Sequence, residues 1–298
     1  PVYNCEEVRG GIIVSTGGCG YNFGPDYNLV NREIRRQLYA NLSHSFSDSL
    51  DVLLEYGIAQ NDVKDNPQSP SFPDLSFPVV PAYHPSNPFG NFVLLLGRPL
   101  NGETESPLAP RENNTERASL TVDAALSDAW SLNSAVTYSK NEYTQSFWET
   151  SKSRFTAALF GLGGSDPANN PQFFDPFIPS NNSQDVLDDI ARLAKLKRTT
   201  ELTVVDSVLA GELFELNGNT VGAAFGIQWR EEVFIADPNE NYEATIDEQG
   251  NLNLPDLIFL GGFNRIDTSR DAFAAFAEFN APVTDDFEIN AAIRYEDL

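Results

Sequence analysis

A strand–turn–strand unit with a three-residue polar turn recurs four times along the chain, and it constrains the fold more than any other sequence feature. In each unit, two runs of about ten residues alternate between apolar and polar side chains, which is the period of a β-strand. The turns are rich in residues that form Asx-type turns or tolerate positive φ. They are Ser47-Asp48-Ser49, Ser127-Asp128-Ala129, Asn217-Gly218-Asn219 and Thr284-Asp285-Asp286. The sequence therefore predicts antiparallel β-hairpins separated by long irregular segments.

The alternation stays in phase across each turn, because a three-residue turn places residues of equal parity opposite each other. Each hairpin therefore has one polar and one apolar face. The expected polar face contains Asn41, Glu55, Asp123, Asn133, Asp206, Gln228, Glu278 and Arg294. The expected apolar face contains Leu42, Leu54, Val122, Val136, Phe225, Ile227, Phe279 and Ile293.

The third turn leaves two registers open, since Asn217-Gly218 alone could form a two-residue type I′ turn. That turn would place Asp206 and Glu212 on the apolar face. A three-residue loop with Gly218 in the left-handed conformation instead aligns Leu209 with that face. Because a buried or lipid-facing carboxylate is costly, we expect the three-residue loop.

The lengths of strands and connections favour a membrane β-barrel over a soluble β-sandwich, which would show the same alternation. Strands of about ten residues suffice to cross a bilayer at a tilt, whereas soluble strands have a mode of about five to six. The connections at the end opposite the turns are long, namely 61–116, 147–198 and 236–269. Outer-membrane barrels combine short periplasmic turns with long extracellular loops. The sequence thus predicts an all-β fold: part of an antiparallel up-and-down transmembrane barrel, apolar toward lipid and polar toward the lumen.

One short helix is expected in the second long segment. Asn182 or Ser183 can serve as its N-cap, and Lys195, Lys197 and Arg198 in the last turn would suit the helix dipole. Its apolar face would consist of Val186, Leu187, Ile190, Leu193 and Ala194. The helix could cover the pore as a lid, but packing down within the loops is the interpretation we favour.

An arginine precedes each strand that leaves the expected extracellular rim: Arg36, Arg117, Arg198 and Arg270. These side chains could contact lipopolysaccharide phosphates, since guanidinium geometry suits phosphate. We favour pairing with nearby carboxylates or snorkelling. The first long segment is rich in proline and aromatic residues between Pro67 and Tyr83, which indicates either a stacking surface for a ligand or a loop that packs on itself.

Composition excludes one class of partner and suggests a compartment. With 19 Lys and Arg against 43 Asp and Glu, the formal net charge is -24, so we expect no nucleic-acid partner. The two cysteines, Cys5 and Cys19, enclose a short glycine-rich segment. A local disulfide formed in an oxidising compartment is the favoured interpretation, with free thiols as the alternative.

The sequence contains no pattern typical of a catalytic, metal or cofactor site. His44 and His84 have no cysteine or histidine at a ligand spacing. The adjacent acids Glu231 and Glu232 would point to opposite faces of a strand and cannot act on one substrate. We therefore expect no catalytic residue, metal or cofactor, and a protein that is not an enzyme.

Three stretches resemble barrel hairpins of TonB-dependent receptors: Gly211 to Glu232, Ala274 to Val283 and Ile289 to Asp297. The resemblance covers most of the chain from Gln37 onward. It implies a barrel of about 22 strands in the Gram-negative outer membrane. An N-terminal plug would couple this barrel to the inner-membrane TonB complex. The plug motifs and the TonB box have no match here.

The chain starts at Pro1 without methionine or a signal peptide, so we expect residues 1–298 to be an internal part of a single barrel domain, without its plug and C-terminal strands. The resemblance implies uptake of a small-molecule or glycan ligand by TonB-coupled transport, with outer-membrane lipid, lipopolysaccharide and the TonB complex as partners. The alternatives are a passive outer-membrane porin and a soluble surface adhesin or carbohydrate-binding β-protein.

Overall fold

The computed structural model describes residues 11–17, 19–22, 24–68, 72–100, 108–284 and 286–298. Its strands, in chain order, are β1 (Gly11–Ile13), β2 (Cys19–Tyr21), β3 (Arg32–Ser47), β4 (Leu50–Asp65), β5 (Val79–Val80), β6 (Val93–Leu94), β7 (Arg111–Ala125), β8 (Trp130–Thr150), β9 (Ala191–Leu216), β10 (Asn219–Pro238), β11 (Glu243–Ile246), β12 (Leu252–Asn253), β13 (Phe263–Asn264), β14 (Ile266–Thr284) and β15 (Phe287–Asp297). The α-helices are α1 (Lys152–Leu159) and α2 (Gln184–Ile190). Short 3-10 turns occupy Gly24–Asp26 and Pro179–Asn181.

The long strands form one eight-stranded sheet in the order β15-β14-β10-β9-β8-β7-β4-β3. Every neighbouring pair in this sheet is antiparallel, and each long strand lies beside the next long strand of the chain. The predicted continuous up-and-down sheet is confirmed. The sheet is open, with β3 and β15 at its edges, as expected for part of a barrel.

The strands are longer than the expected ten residues. Strand β9 contains 26 residues and β8 contains 21. At roughly 3.3 Å per residue, β9 is about 85 Å long, whereas a tilted strand needs about 9 to 11 residues to cross the bilayer. The strands therefore extend well beyond a membrane thickness, and the connections shrink to loop 1 (66–110), loop 2 (151–190) and loop 3 (239–265). Neither helix in the described part of the chain is long and apolar enough to span a membrane.

The strand register of the third hairpin is set by a turn that the sequence did not predict. Asn217 and Gly218 have φ angles of 53° and 86°, and Leu216 pairs with Asn219 across a two-residue turn. The expected three-residue loop is therefore wrong here, and also for the first and fourth turns, where Ser47 pairs with Leu50 and Thr284 pairs with Phe287. A bulge opposite Val221 and Gly222 then shifts the pairing, so that Leu209 faces Phe225. The bulge restores the apolar alignment that we expected, because one extra residue reverses the parity of a strand.

The helix in loop 2 is shorter than expected. Ser183 caps α2 as predicted, since its Oγ accepts a hydrogen bond from the Val186 N–H at 3.3 Å. The helix ends at Ile190, because Ala191 adopts an extended ψ of 140° and begins β9. The expected extension through Leu193 and Ala194 is wrong: these residues pair with β8 in the sheet. Helix α1 was not expected.

Loops 1 and 2 share a hydrophobic core at one end of the sheet. Phe155 of α1 and Phe174 pack edge to face, with ring centroids 5.1 Å apart. The core residues are Val80, Leu100, Phe155, Ala158, Leu159, Phe174, Val186 and Ile190. The helices therefore pack down within the loops, which is the interpretation favoured over a lid. The proline-rich loop packs on itself, through the pairing of β5 with β6, and also against loop 2.

The apolar face of the long sheet is exposed. One row of paired residues crosses six strands without a polar side chain: Leu54, Leu120, Val136, Val205, Trp229 and Phe273. The exposed fractions of Leu42, Ile227 and Ile293 are 66%, 55% and 72%. A contiguous exposed apolar surface of this kind is abnormal for a soluble protein. The predicted exposure is therefore confirmed, with Val122 half-buried as the exception.

The predicted disulfide cannot be placed on this fold. Cys5 and the side chain of Cys19 lie outside the described residues. The pairing of these two cysteines stays a prediction.

Candidate functional site

The register of the sheet brings the eight predicted polar residues to one face, which we call the polar face. Asn41 pairs with Glu55, Asp123 with Asn133, and Asp206 with Gln228. Glu278 and Arg294 have the same parity in β14 and β15. Two of the predicted neighbours are hydrogen-bonded directly, since the Asn133 amide donates to the Asp123 carboxylate. That this face lines a lumen stays a prediction.

Charge is distributed unevenly along the polar face. Toward the loops, the face carries Arg35, Arg111, Arg117, Arg198, Arg230 and Arg270. Toward the short turns, it carries Asp51, Asp123, Asp206 and Glu278, with Arg294 among them. A chain with a net charge of -24 thus presents a basic region at one end of this face. The sequence did not reveal this division, because it depends on pairing between distant strands.

Ion pairs hold much of the basic region in place. Arg230 contacts Glu232 at 3.1 Å and Glu296 at 2.8 Å. Arg270 contacts the same Glu232 at 2.6 Å. The resulting network links β10, β14 and β15 across the polar face. Adjacent Glu231 points to the other face, as expected from the strand period.

The four rim arginines do not share one environment. Arg117, Arg198 and Arg270 lie on the polar face, whereas Arg36 lies on the apolar face. Arg117 approaches Glu55 at 3.8 Å, and Arg36 approaches Asp62 at 3.8 Å. The interpretation that these arginines pair with nearby carboxylates is confirmed for Arg36, Arg117 and Arg270, although their partners are on strands rather than in loops. Contact with lipid phosphate stays an expectation for Arg36 alone, because the other three arginines are on the polar face.

Loop 3 folds over the polar face at its loop end. The Asn239 carboxamide accepts the Lys195 N–H at 2.9 Å and donates to the Leu193 carbonyl at 2.8 Å. Tyr242 packs on Phe147, with ring centroids 6.0 Å apart. The polar-face residue Leu196 is 2% exposed under this loop. Loop 3 therefore narrows the approach to the basic region from the loop side.

A buried carboxylate fastens the loops to the end of β8. Glu149 is 1% exposed, and its two oxygens accept the N–H groups of Thr150 at 2.8 Å and Leu260 at 2.9 Å. Burial, with a smaller contribution from nearby Asp74, raises the pKa of Glu149 to about 7, although the backbone hydrogen bonds oppose the shift. We call this point of contact between loops 1, 2 and 3 the loop junction. Sequence inspection missed Glu149, because nothing in its local pattern signals burial.

The second fastening of loop 3 uses Asp256. Its carboxylate accepts the Ser153 N–H at 2.8 Å and the Ser153 hydroxyl at 2.6 Å, as well as the Ser151 hydroxyl. Ser151 is the N-cap of α1. Asp256 therefore adds a negative charge at the helix N-terminus, where the helix dipole favours it.

The contacts of the two histidines are typical of residues with a structural role. His84 is 3% exposed, with Nε2 at 2.9 Å from the Phe174 carbonyl oxygen and Nδ1 accepting the Ser86 N–H at 3.2 Å. His44 interrupts the apolar face and lies edge-on to Phe46, with ring centroids 4.6 Å apart. Within the described ranges, no three His, Cys, Asp or Glu side chains are arranged to hold a metal ion.

The open antiparallel sheet, with its exposed apolar face and charged polar face, defines this chain as part of an up-and-down barrel. The sequence profile of the family described as "TonB dependent receptor-like, beta-barrel" matches residues 65–298. The chain therefore belongs to the TonB-dependent receptor family through its barrel domain. No curated protein sequence matches the chain.

Solved structures agree with this assignment of the fold. Over 91% of this chain, FpvA of P. aeruginosa bound to heterologous pyoverdines superposes with a TM-score of 0.51 and 14% identity. The ferripyoverdine receptor of the outer membrane of Pseudomonas aeruginosa, bound to ferripyoverdine, superposes with a TM-score of 0.50 and 15% identity over 91% of this chain. The chain spans 31% of the length of each of these receptors.

Proposed function

We propose that this chain is part of the barrel of an outer-membrane receptor that takes up a ligand by TonB-coupled active transport. The proposal is carried by one observation: the long sheet exposes an uninterrupted apolar row on one face and a charged surface on the other. A membrane barrel needs both surfaces, because one face contacts lipid and the other contacts water or a plug. Membership of the TonB-dependent receptor family supports the energy-coupled class.

In the complete protein, residues 1–298 would form part of a single barrel domain. The remaining strands would close the open edges at β3 and β15, and an N-terminal plug would contact TonB. The apolar face would contact outer-membrane lipid and lipopolysaccharide. The polar face, with Asn41, Glu55, Asp123, Asn133, Asp206, Gln228, Glu278 and Arg294, would line the ligand route beside the plug. The ligand would be a small molecule or a glycan.

The loops support a receptor over a passive porin. Loops 1 and 2 share a packed core, and loop 3 is fastened to both the sheet and α1. An ordered loop assembly over the polar face can present a binding surface, whereas an unobstructed pore does not require one. A soluble adhesin is disfavoured by the exposed apolar face.

The test uses the full-length protein that contains this chain. We expect it in the outer-membrane fraction, with the heat-dependent shift in electrophoretic mobility of a folded barrel, and we expect it to bind the purified periplasmic domain of TonB. A large conductance in planar bilayers without TonB would instead identify a porin. A monomer that stays soluble without detergent would identify the adhesin class.

A further inference from the structure

The basic end of the polar face contains two arginines without a carboxylate partner. Arg117, Arg230 and Arg270 are each within 4 Å of a carboxylate oxygen. Among the described residues, neither Arg111 nor Arg198 forms an ion pair. Arginines with unused donors on an otherwise acidic protein point to an anionic ligand.

The two arginines are close enough to act on one small molecule. Arg111 pairs with Gln145 of β8, and Arg198 pairs with Tyr143 of the same strand. Strand β8 therefore lies between the two arginines, and their partners on this strand are two residues apart. With strands 4.7 to 4.9 Å apart, their Cα atoms are about 12 Å apart. Two extended arginine side chains can reach a ligand placed between them.

The surface between the arginines carries no charged side chain: Tyr143 lies between Asn113 and Arg198, and Gln145 lies between Arg111 and Leu196. The Asn141 carboxamide donates to Asn113 Oδ1 and to Thr115 Oγ1, each at 2.7 Å. These bonds occupy the oxygen of Asn113, so its Nδ2 is left as a donor. The carboxylate in the surrounding rows is Glu33, which is already paired with Arg35. The arrangement offers donors to a ligand and no negative charge that would repel an anion.

Loop 3 orients one of these arginines. The Arg198 guanidinium lies 5.8 Å from the centroid of the Phe263 ring, and Arg198 is half-buried. Stacking on an aromatic ring occupies the face of a guanidinium and leaves its N–H edge available for hydrogen bonds. Partial burial also strengthens an interaction with a charged ligand, because the surroundings are less polarisable than water.

We propose that Arg111 and Arg198, with Asn113 and Gln145 beside them, bind a small ligand that carries two anionic oxygen groups. The proposal deepens the proposed function, since this site would be the entry point of the ligand route. The acidic residues at the turn end of the polar face raise the energy of an anion there. They therefore confine the site to the loop end.

The experiment measures anion binding by the purified full-length receptor, independently of TonB. The probe is carboxyfluorescein, followed by fluorescence polarisation, with a rhodamine cation of similar size as the opposite-charge probe. We expect the Arg111→Glu/Arg198→Glu variant to bind carboxyfluorescein at least tenfold more weakly and the rhodamine no more weakly than the wild type. Competition by citrate or by pyrophosphate distinguishes carboxylate from phosphate ligands.

The matched control is Arg36→Glu, which makes the same charge change on the apolar face at the same end of the sheet. We expect it to bind carboxyfluorescein like the wild type. The anion site is overturned if the wild type does not bind carboxyfluorescein, or if the double variant, folded by its mobility shift, binds it as tightly as the wild type. Outer-membrane location and TonB binding are measured separately. They can hold while the anion site fails, so the two proposals are distinguishable.

Discussion

The aromatic ring of Phe276 lies over Gly226, its partner on the neighbouring strand of the polar face. A Cβ atom at Gly226 would lie 2.0 Å from Cε1 of Phe276, closer than any real contact. The pair places a large apolar group on the polar face. Glycine is required there because only a residue without a side chain leaves room for the ring.

We expect Gly226→Ala to destabilise the barrel by about 1 to 3 kcal/mol, because the ring must leave its position. The double variant Gly226→Ala/Phe276→Ala should recover part of that loss, which urea unfolding in lipid vesicles can measure. Gly222→Ala is the control, since the nearest atom to its Cβ is 3.8 Å away. Equal losses at both glycines would show that the ring is not the cause.

Glu149 should make the loop junction sensitive to pH. Its pKa rises from the ordinary value of 4.5 to about 7 on folding, mainly through burial. A raised carboxyl pKa stabilises the closed junction fully below about 4.5, and this contribution is lost as the pH rises through about 7. The facing charged groups are Asp74 of loop 1 and Arg192, the cross-strand partner of Glu149 in β9. Asp256 of loop 3 carries a further negative charge nearby.

We expect hydrogen exchange of the Ile258 and Leu260 amides, corrected for intrinsic rates, to be faster at about pH 8 than at about pH 5. The free energy of opening should fall by up to about 3 kcal/mol between these two pH values. Glu149→Gln should remove most of this dependence. Glu240→Gln, which changes an exposed carboxylate of loop 3, should keep it. Protection that is independent of pH in the wild type would contradict the assigned role of Glu149.

The two faces of the sheet should respond differently to a new charge. Replacing Leu54 or Ile227 by Arg should cost roughly 2 to 4 kcal/mol if these side chains contact lipid near mid-membrane, and assembly should fail. Gln228→Arg, next to Ile227 but on the polar face, is the matched control and should assemble normally. The mobility shift of the folded barrel in outer-membrane fractions measures the effect. Similar assembly defects from both sets would refute the assignment of the faces.

The shared core of loops 1 and 2 should be able to lose stability without affecting the folding of the barrel. Phe155 is fully buried, so Phe155→Ala should cost about 3 to 5 kcal/mol of local stability by leaving a cavity. We expect faster proteolysis within loop 2, with an unchanged mobility shift for the barrel. Phe160→Ala, which truncates a ring that is 39% exposed, should have a much smaller effect. A barrel that fails to assemble in the Phe155 variant would show that the loops and the sheet fold as one unit.

Hairpin positions and faces were predictable because strand periodicity and turn chemistry are local. Asp123 and Asn133 pair across Ser127-Asp128-Ala129 as the sequence indicates. The exact turn at Asn217-Gly218 was not predictable, since two local solutions give the same faces: a longer loop, or a short turn with a bulge. Helix α2 was predicted to run too far because pairing of Leu193 with Trp148 in the sheet overrides its helical pattern.

The sequence by itself determined the up-and-down sheet, the membership of each residue in the polar or apolar face, and the N-cap of α2. The tertiary structure alone decided how these strands line up side by side. That alignment gathers arginines at the loop end of the polar face, leaves Arg111 and Arg198 without carboxylate partners, and buries Glu149 against Leu260. The physical reason is the distance along the sequence over which each property is determined. A strand's two faces follow from its own alternation, whereas the charge and burial at a point on a sheet are set by residues that are distant in the sequence, as Leu260 is from Glu149.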